Sequence, residues 1–224
     1  MASPFRVAIT FDAEHPDRPA TAGTQERLLQ ALARLDVRAS FFVQGRWAES
    51  YPVTARRIAT DGHLVGSHSF YHARLNLLSA RGLRADIAAA QRAVIDATGV
   101  DPRPWFRVPF GAGAGDKRVR AFIEQAGYRH VGWHVAGMDW PAERSAGDVE
   151  ATCVDGVAAH GDGSVVLLHT WPDRTEAALP GVVRRLRDLG AAFVRVDELP
   201  PDLIPDLVPD DDASDTGYVP PSAA

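Results

Sequence analysis

The sequence predicts an α/β fold built on parallel strands, and three observations carry that prediction. Short apolar runs and helical stretches alternate seven times along 224 residues, the order that lays helices outside a parallel sheet. The runs are continuously apolar, as in Ser164-Val165-Val166-Leu167-Leu168, so both faces of the sheet are covered. No Gly-x-Gly-x-x-Gly follows the first run, which argues against a dinucleotide-binding sheet. A closed or nearly closed (β/α) barrel and an open doubly wound sheet both satisfy this pattern.

Arg6 to Phe11 is the first strand, ending in Asp12-Ala13-Glu14. Leu28, Leu32 and Leu35 then repeat at helical spacing. Ala39 to Val43 is the second strand. Pro52 to Thr60 is helical and is closed by Asp61-Gly62. His63 to Ser67 is the third strand and delivers His68. Leu83, Ile87, Ala90 and Val94 mark a long helical face stopped by Gly99. Trp105 to Val108 is the fourth strand. Asp116 caps a helix that ends at Gly127. Arg129 to Trp133 is the fifth strand, and Ser145 to about Ala159 is helical. Ser164 to Leu168 is the sixth strand, delivering His169. A helix from Glu176 to Leu189 leads to the seventh, Ala192 to Val196.

Residues 1–199 are read as one domain, long enough to bury a substantial core. Residues 200–224 are rich in Pro and Asp and read as an acidic extended or disordered tail, with Leu203, Ile204, Leu207 and Val208 able to pack on the domain. Six aspartates in that tail account for the net charge of −5 and leave the rest near neutral, at +1. No clustered basic surface suggests nucleic acid. No apolar run spans a membrane, and Met1 to Arg6 shows no secretion signal, so the sequence as given is expected in the cytoplasm unless a signal was removed. The single cysteine, Cys153, excludes an internal disulfide and reads as a small core residue. No Gly-x-Ser-x-Gly elbow is present for nucleophilic catalysis.

Functional groups of parallel βα folds gather at the carboxyl ends of strands. Asp12 and Glu14 follow the first strand, and His68 and His72 the third. Arg107 and Phe110 end the fourth, Asp139 and Trp140 follow the fifth, and His169 follows the sixth. Two histidines four apart place both imidazoles on one side of a helical turn. That spacing suits a divalent ion, though by itself it is a weak sign.

Thr10-Phe11-Asp12, His68-Ser69-x-x-His72, Arg107-x-Pro109-Phe110, Asp139-Trp140 and Leu167-x-His169 stand in an order that resembles the NodB-type polysaccharide deacetylases of carbohydrate esterase family 4. Ser40 to Gly45 is similar to that family's second strand. The resemblance implies a distorted (β/α)7-type barrel with parallel strands and outer helices. It also implies metal-dependent removal of an acetyl group, N-linked or O-linked, from a sugar, oligosaccharide or polysaccharide. His68 and His72 are then metal ligands, Asp12 the general base with Arg107 beside it, and His169 the general acid oriented by Asp139. The Phe110 N–H stabilises an oxyanion, and Trp140 and Leu167 wall the acetyl pocket. The donor types favour zinc, with cobalt or nickel as alternatives. Trp47 and Trp171, near strand ends, are candidates to stack on a sugar ring.

Two positions depart from the family. Ala13 stands where most members carry a second aspartate that binds metal, and Ala136 where many carry the first aspartate of Asp-x-x-Asp-Trp. Glu14 is assigned as the third ligand. His15 is a substitute candidate, and a damaged site is the remaining reading. Other hypotheses stay open: hydrolysis of another non-peptide C–N bond, a small acetylated metabolite as substrate, and a carbohydrate-binding domain without catalysis.

Overall fold

The computed structural model describes residues 5–17 and 21–207. Eight short strands form one sheet: β1 Phe5–Ala13, β2 Ser40–Val43, β3 Leu64–Ser67, β4 Trp105–Phe106, β5 Arg129–His130, β6 Val135–Ala136, β7 Ser164–His169 and β8 Ala191–Phe193. Every pairing is parallel. The order is β5-β4-β3-β2-β1-β7-β6, with β8 pairing the beginning of β1. The sheet curls into an incompletely closed barrel, the arrangement the family resemblance implies.

The edge strands β5 and β6 are consecutive in the chain, and residues 131–134 carry the chain from one edge to the other. Val131 N donates to Phe106 O at one side (2.8 Å), and His134 N to Val165 O at the other (2.9 Å). The expected fifth strand, Arg129 to Trp133, is therefore cut short into β5, and a separate β6 begins at Val135. The reason lies in where the backbone bonds go. Gly132 N donates to Pro205 O at 2.7 Å, and the Val131 and Gly132 carbonyls accept from Arg107. A β-carbon on Gly132 would lie 1.9 Å from Leu207 O, so only glycine admits the C-terminal strap at this distance.

Side-chain alternation sorts β1 into two faces. Val7, Ile9, Phe11 and Ala13 face outward into the main core. That core packs β1, β2 and β7 against α1 Thr24–Arg34, α3 Pro52–Thr60, α6 Ala146–His160 and α7 Asp173–Asp188. Cys153 is buried there, and burial pushes its thiol pKa up. A second outer cluster joins β4 to α4 Ala80–Thr98 and α5 Lys117–Gln125. Ala8 faces the barrel interior with Phe42, Trp133, Val165 and Leu167; Val196, Leu199 and Ile204 close its lower end. Ile204 thus packs on the domain, whereas the side chain of Leu207 is 59% exposed. Residues 208–224, most of the expected acidic tail and Val208 with it, lie outside the described residues.

Asp116 caps α5 by accepting from Arg118 N (2.8 Å) and Val119 N (3.2 Å), as its position predicts. The short helix α2, Gly45–Ser50, has no apolar period long enough to be read from sequence. Trp47 sits on it, fully buried in the main core with its ring 5.4 Å from that of Tyr51. It is not available to stack on a sugar, which corrects that expectation. Among the described residues no helix is long and apolar enough to cross a membrane.

Candidate active site

The strand ends bring the expected residues together at one mouth of the barrel. Their loops carry unusual backbone: His15, Ser69, His72, Phe110 and Met138 all have φ between 53° and 59°, a region that non-glycine residues rarely adopt. The His68–His72 segment is accordingly a loop and not the helical turn that its spacing suggests. Its bonds come from outside. Gly45 N donates to Ser69 O (2.9 Å) and Arg46 N to Phe70 O (3.3 Å). Phe70 N and Tyr71 N donate to the two carboxylate oxygens of Asp86, at 2.9 and 3.0 Å. His72 N donates to Ser69 Oγ at 3.0 Å. Asp86 is buried on α4, where burial pushes its pKa up against these N–H bonds. Nothing in the sequence pattern marked it beyond a charge on an otherwise apolar helix face.

Glu14, His68 and His72 are 4%, 1% and 8% exposed and turn three donor atoms toward one point. Glu14 Oε2 lies 3.2 Å from His68 Nε2 and touches His72 Nε2, and the two Nε2 atoms are 3.1 Å apart. Ligands on a tetrahedral zinc with bonds of ~2.0–2.1 Å sit about 3.3–3.4 Å from one another. Lone pairs converging this closely repel unless a cation lies among them, so the three residues fit a divalent metal. His68 Nδ1 bonds the Arg107 carbonyl at 2.9 Å, which places its proton there and leaves Nε2 as the ligand atom. Burial opposes ionisation of both Glu14 and His72; the histidines around Glu14 hold its carboxyl well below the usual range, as a carboxylate, and a neutral imidazole is the form that ligates a metal.

Strand alternation explains the departure at Ala13. Asp12 and Glu14, two residues apart, point to the same side; Ala13 points to the helices. His15 does not join the group: its Nε2 lies 3.1 Å from Glu14 Oε1, the carboxylate oxygen facing away from the two histidines.

Arg107 is completely buried in the barrel. Its Nη1 donates to Asp12 Oδ1 (2.9 Å) and Thr10 Oγ1 (2.8 Å), its Nε to Val131 O (3.2 Å) and its Nη2 to Gly132 O (3.0 Å). The guanidinium lies 4.1 Å over the Phe42 ring. Asp12 Oδ2 is left facing the metal group, 3.5 Å from His68 Nε2.

On the other side, His169 Nδ1 is 2.7 Å from Asp139 Oδ1, and His169 N donates to Asp139 Oδ2 at 2.7 Å. Thr175 Oγ1 on α7, which sequence reasoning missed, donates to the same Oδ2. Burial opposes the His169 charge, but Asp139 overcomes it and the pKa rises to about 9. Ala136 pairs with Leu167 inside the sheet, so Asp139 orients His169 without a partner at that position.

Asp12, Glu14, His68, His72 and His169 line a cavity of about 50 Å³ that also touches Phe110, Trp140 and Leu167; Arg107 and Asp139 stand behind Asp12 and His169. At ~10–15 Å³ for each water-sized sphere, the cavity accepts a group the size of an acetyl. Leu167 belongs to the interior core as well as to the cavity lining. Trp140 lies edge-on to His169 with ring centroids 5.3 Å apart. Trp171 also lines the cavity, and its Nε1 donates to Glu14 Oε1 at 3.4 Å. Trp133 was not anticipated there; its place beside Val131 and Arg107 follows from the seam between β5 and β6.

The sequence matches the polysaccharide deacetylase family over residues 2–131. It is 36% identical over 194 residues to the peptidoglycan-N-acetylglucosamine deacetylase PgdA of Listeria monocytogenes, a stretch covering 87% of this chain and 38% of that protein. The chain therefore spans well under half the length of that relative. It is 31% identical to the chitooligosaccharide deacetylase of Azorhizobium caulinodans, covering 77% of each. Among solved structures, the family 4 carbohydrate esterase from Streptomyces lividans, in complex with acetate, superposes with a TM-score of 0.75 at 28% identity, covering 86% of this chain and 93% of that one.

Proposed function

The chain belongs to the polysaccharide deacetylase family, and from that premise we propose that it hydrolyses the N-acetyl group of an amino sugar within an oligosaccharide or polysaccharide. The observation carrying this reading is the convergence of Glu14, His68 and His72 between two oriented pairs, Arg107 with Asp12 and Asp139 with His169. Two imidazoles and one carboxylate favour zinc, with cobalt or nickel as substitutes. Such an ion, when bound, supplies Lewis acidity toward an acyl oxygen and makes water a stronger acid.

The chain's own groups do the rest. Arg107 holds Asp12 through Oδ1, so Oδ2 takes a proton from the attacking water as its oxygen bonds to the acetyl carbon. The N–H of Phe110 donates to the developing oxyanion. His169, kept protonated by Asp139, gives its Nε2 proton to the nitrogen as the C–N bond breaks. Acetate and a free amine are the products. Trp140 and Leu167 enclose the acetyl methyl and exclude water from it.

Ala13 does not impair this arrangement, because Glu14 stands on the strand face that Asp12 uses. The reading is tested by acetate release from N-acetylglucosamine oligomers by zinc-loaded protein, with chelator-treated protein and Glu14→Ala as controls. Stoichiometric zinc with acetate release, both lost in Glu14→Ala, is the expected result. Metal binding without acetate release would redirect the search to other C–N bonds, and absence of metal binding would sink the enzyme reading.

A further inference from the structure

Glu14 differs from an aspartate ligand in one respect beyond reach. Its terminal torsion is broad and two-fold, so either oxygen, or both, can turn toward an ion. Here one oxygen is already taken. His15 Nε2 lies 3.1 Å from Glu14 Oε1 and Trp171 Nε1 donates to it at 3.4 Å, while Oε2 faces His68 and His72.

His15 is held for this contact. Its backbone has φ 55°, its N–H donates to Gln44 Oε1 at 2.9 Å, and its ring packs edge-on against His72 with centroids 4.4 Å apart. Gln44 is itself buried, at the start of α2. The residue after the substituted ligand is thereby turned back onto that ligand.

We propose that His15 is a positioning residue that locks Glu14 into one-oxygen ligation, so that Asp12-Ala13-Glu14-His15 works as a single unit in place of an adjacent aspartate pair. By engaging Oε1, His15 would leave only Oε2 for an ion held with His68 and His72, the three-ligand set that a hydrolytic site uses. It also removes the torsional freedom that would otherwise weaken a glutamate ligand. This inference rests on Glu14, His68 and His72 holding the ion.

The test measures zinc affinity of the full chain by competition with a chromophoric chelator, and the visible spectrum of the cobalt-substituted protein. His15→Phe keeps the ring packing and removes the donor. His15→Gln keeps a donor of similar reach. Loss of such an outer-shell partner costs about 10–100-fold in affinity, so His15→Phe is expected to bind zinc that much more weakly and His15→Gln within a few-fold of wild type. Should the phenylalanine variant fail to fold, His15→Asn replaces it, being tolerant of this φ and too short to reach Oε1. Wild-type affinity in the donor-less variant overturns the proposal. So does equal weakening in the Phe and Gln variants with a cobalt spectrum that has lost a nitrogen ligand, which would make His15 itself a ligand. If the wild-type chain binds no ion, the metal reading fails and takes this one with it.

Discussion

Asp12 and His169 are register partners across the parallel pair of β1 and β7, and each is oriented by one neighbour of opposite charge: Arg107 Nη1 at 2.9 Å from Asp12 and Asp139 Oδ1 at 2.7 Å from His169. Residues paired in this way share a face of the sheet, so the proposed base and acid stand side by side above the barrel interior. The metal ligands approach from β3 and from the residue just past β1. Asp12 and His169 therefore rest on paired strands, whereas two of the three proposed ligands, His68 and His72, sit on a loop held by bonds from other elements.

If Asp12 acts as a base and not as a ligand, Asp12→Asn removes turnover and keeps the ion. The expected fall in acetate release is about 10²–10⁴-fold, the usual range for general acid–base catalysis. Metal content of the variant, measured alongside, should equal wild type. A variant without metal would make Asp12 a ligand.

If His169 is the general acid, it sets an alkaline limit on activity. It must be protonated to serve as the acid, and its pKa is raised to about 9, so activity persists above neutrality and falls as pH rises through about 9. The same raised pKa contributes stability that is full below the ordinary value of about 6.5 and is lost through about 9. Asp139→Asn removes the charge that raises it, and the alkaline limb of the pH–rate profile is expected to move down toward the ordinary histidine range. A limb that stays in place would remove Asp139 from this role.

Asp86 holds the backbone of the His68–His72 loop from outside the candidate metal group. Asp86→Ala leaves the Phe70 and Tyr71 N–H groups without their acceptor; a buried donor left unsatisfied costs about 1–3 kcal/mol, and with both bonds part-buried the loss is expected toward the low end of that range. Zinc affinity is expected to fall with it, and excess zinc to restore turnover. Unfolding in urea and zinc titration together check both halves of this prediction.

Gly132→Ala ordinarily changes little in a backbone setting that alanine accepts. Here the added carbon meets Leu207 O at 1.9 Å, and displacing the strap disturbs the carbonyl that receives Arg107 Nη2. A loss of about 1–3 kcal/mol, the range for overpacking, is expected in urea unfolding, together with a lower kcat at unchanged metal content. Truncation after Leu199 removes Ile204 from the barrel floor and is expected to lower the melting temperature further.

Much of this site is legible in the amino-acid sequence. Strand ends, helix caps and the order of the strand-end motifs are local features, and Asp12, Arg107, Asp139 and His169 stand where they pointed. The misreadings have local causes too. Four-residue spacing between histidines mimics a helical turn, but Ser69 and His72 adopt left-handed backbone and their partners come from Asp86 and α2. Trp47 lies near a strand end and still turns into the core, because α2 was too short to carry a visible period. The fifth strand breaks because Gly132 bonds to Pro205 and not to a neighbouring strand.

The order of parallel strands and helices and the residue types at each strand end are legible in the chain alone, whereas the side that Glu14 takes, shared with Asp12 and not with Ala13, came with the fold. Only the tertiary structure decided which oxygen of Glu14 meets His68 and His72, that His15 takes the other, that Arg107 fills the barrel, and that Asp86 secures the loop. The physical reason is the closure of the sheet. Contacts between residues tens of positions apart depend on how far the strands curl and where the seam falls, and no local period in the chain encodes that curvature.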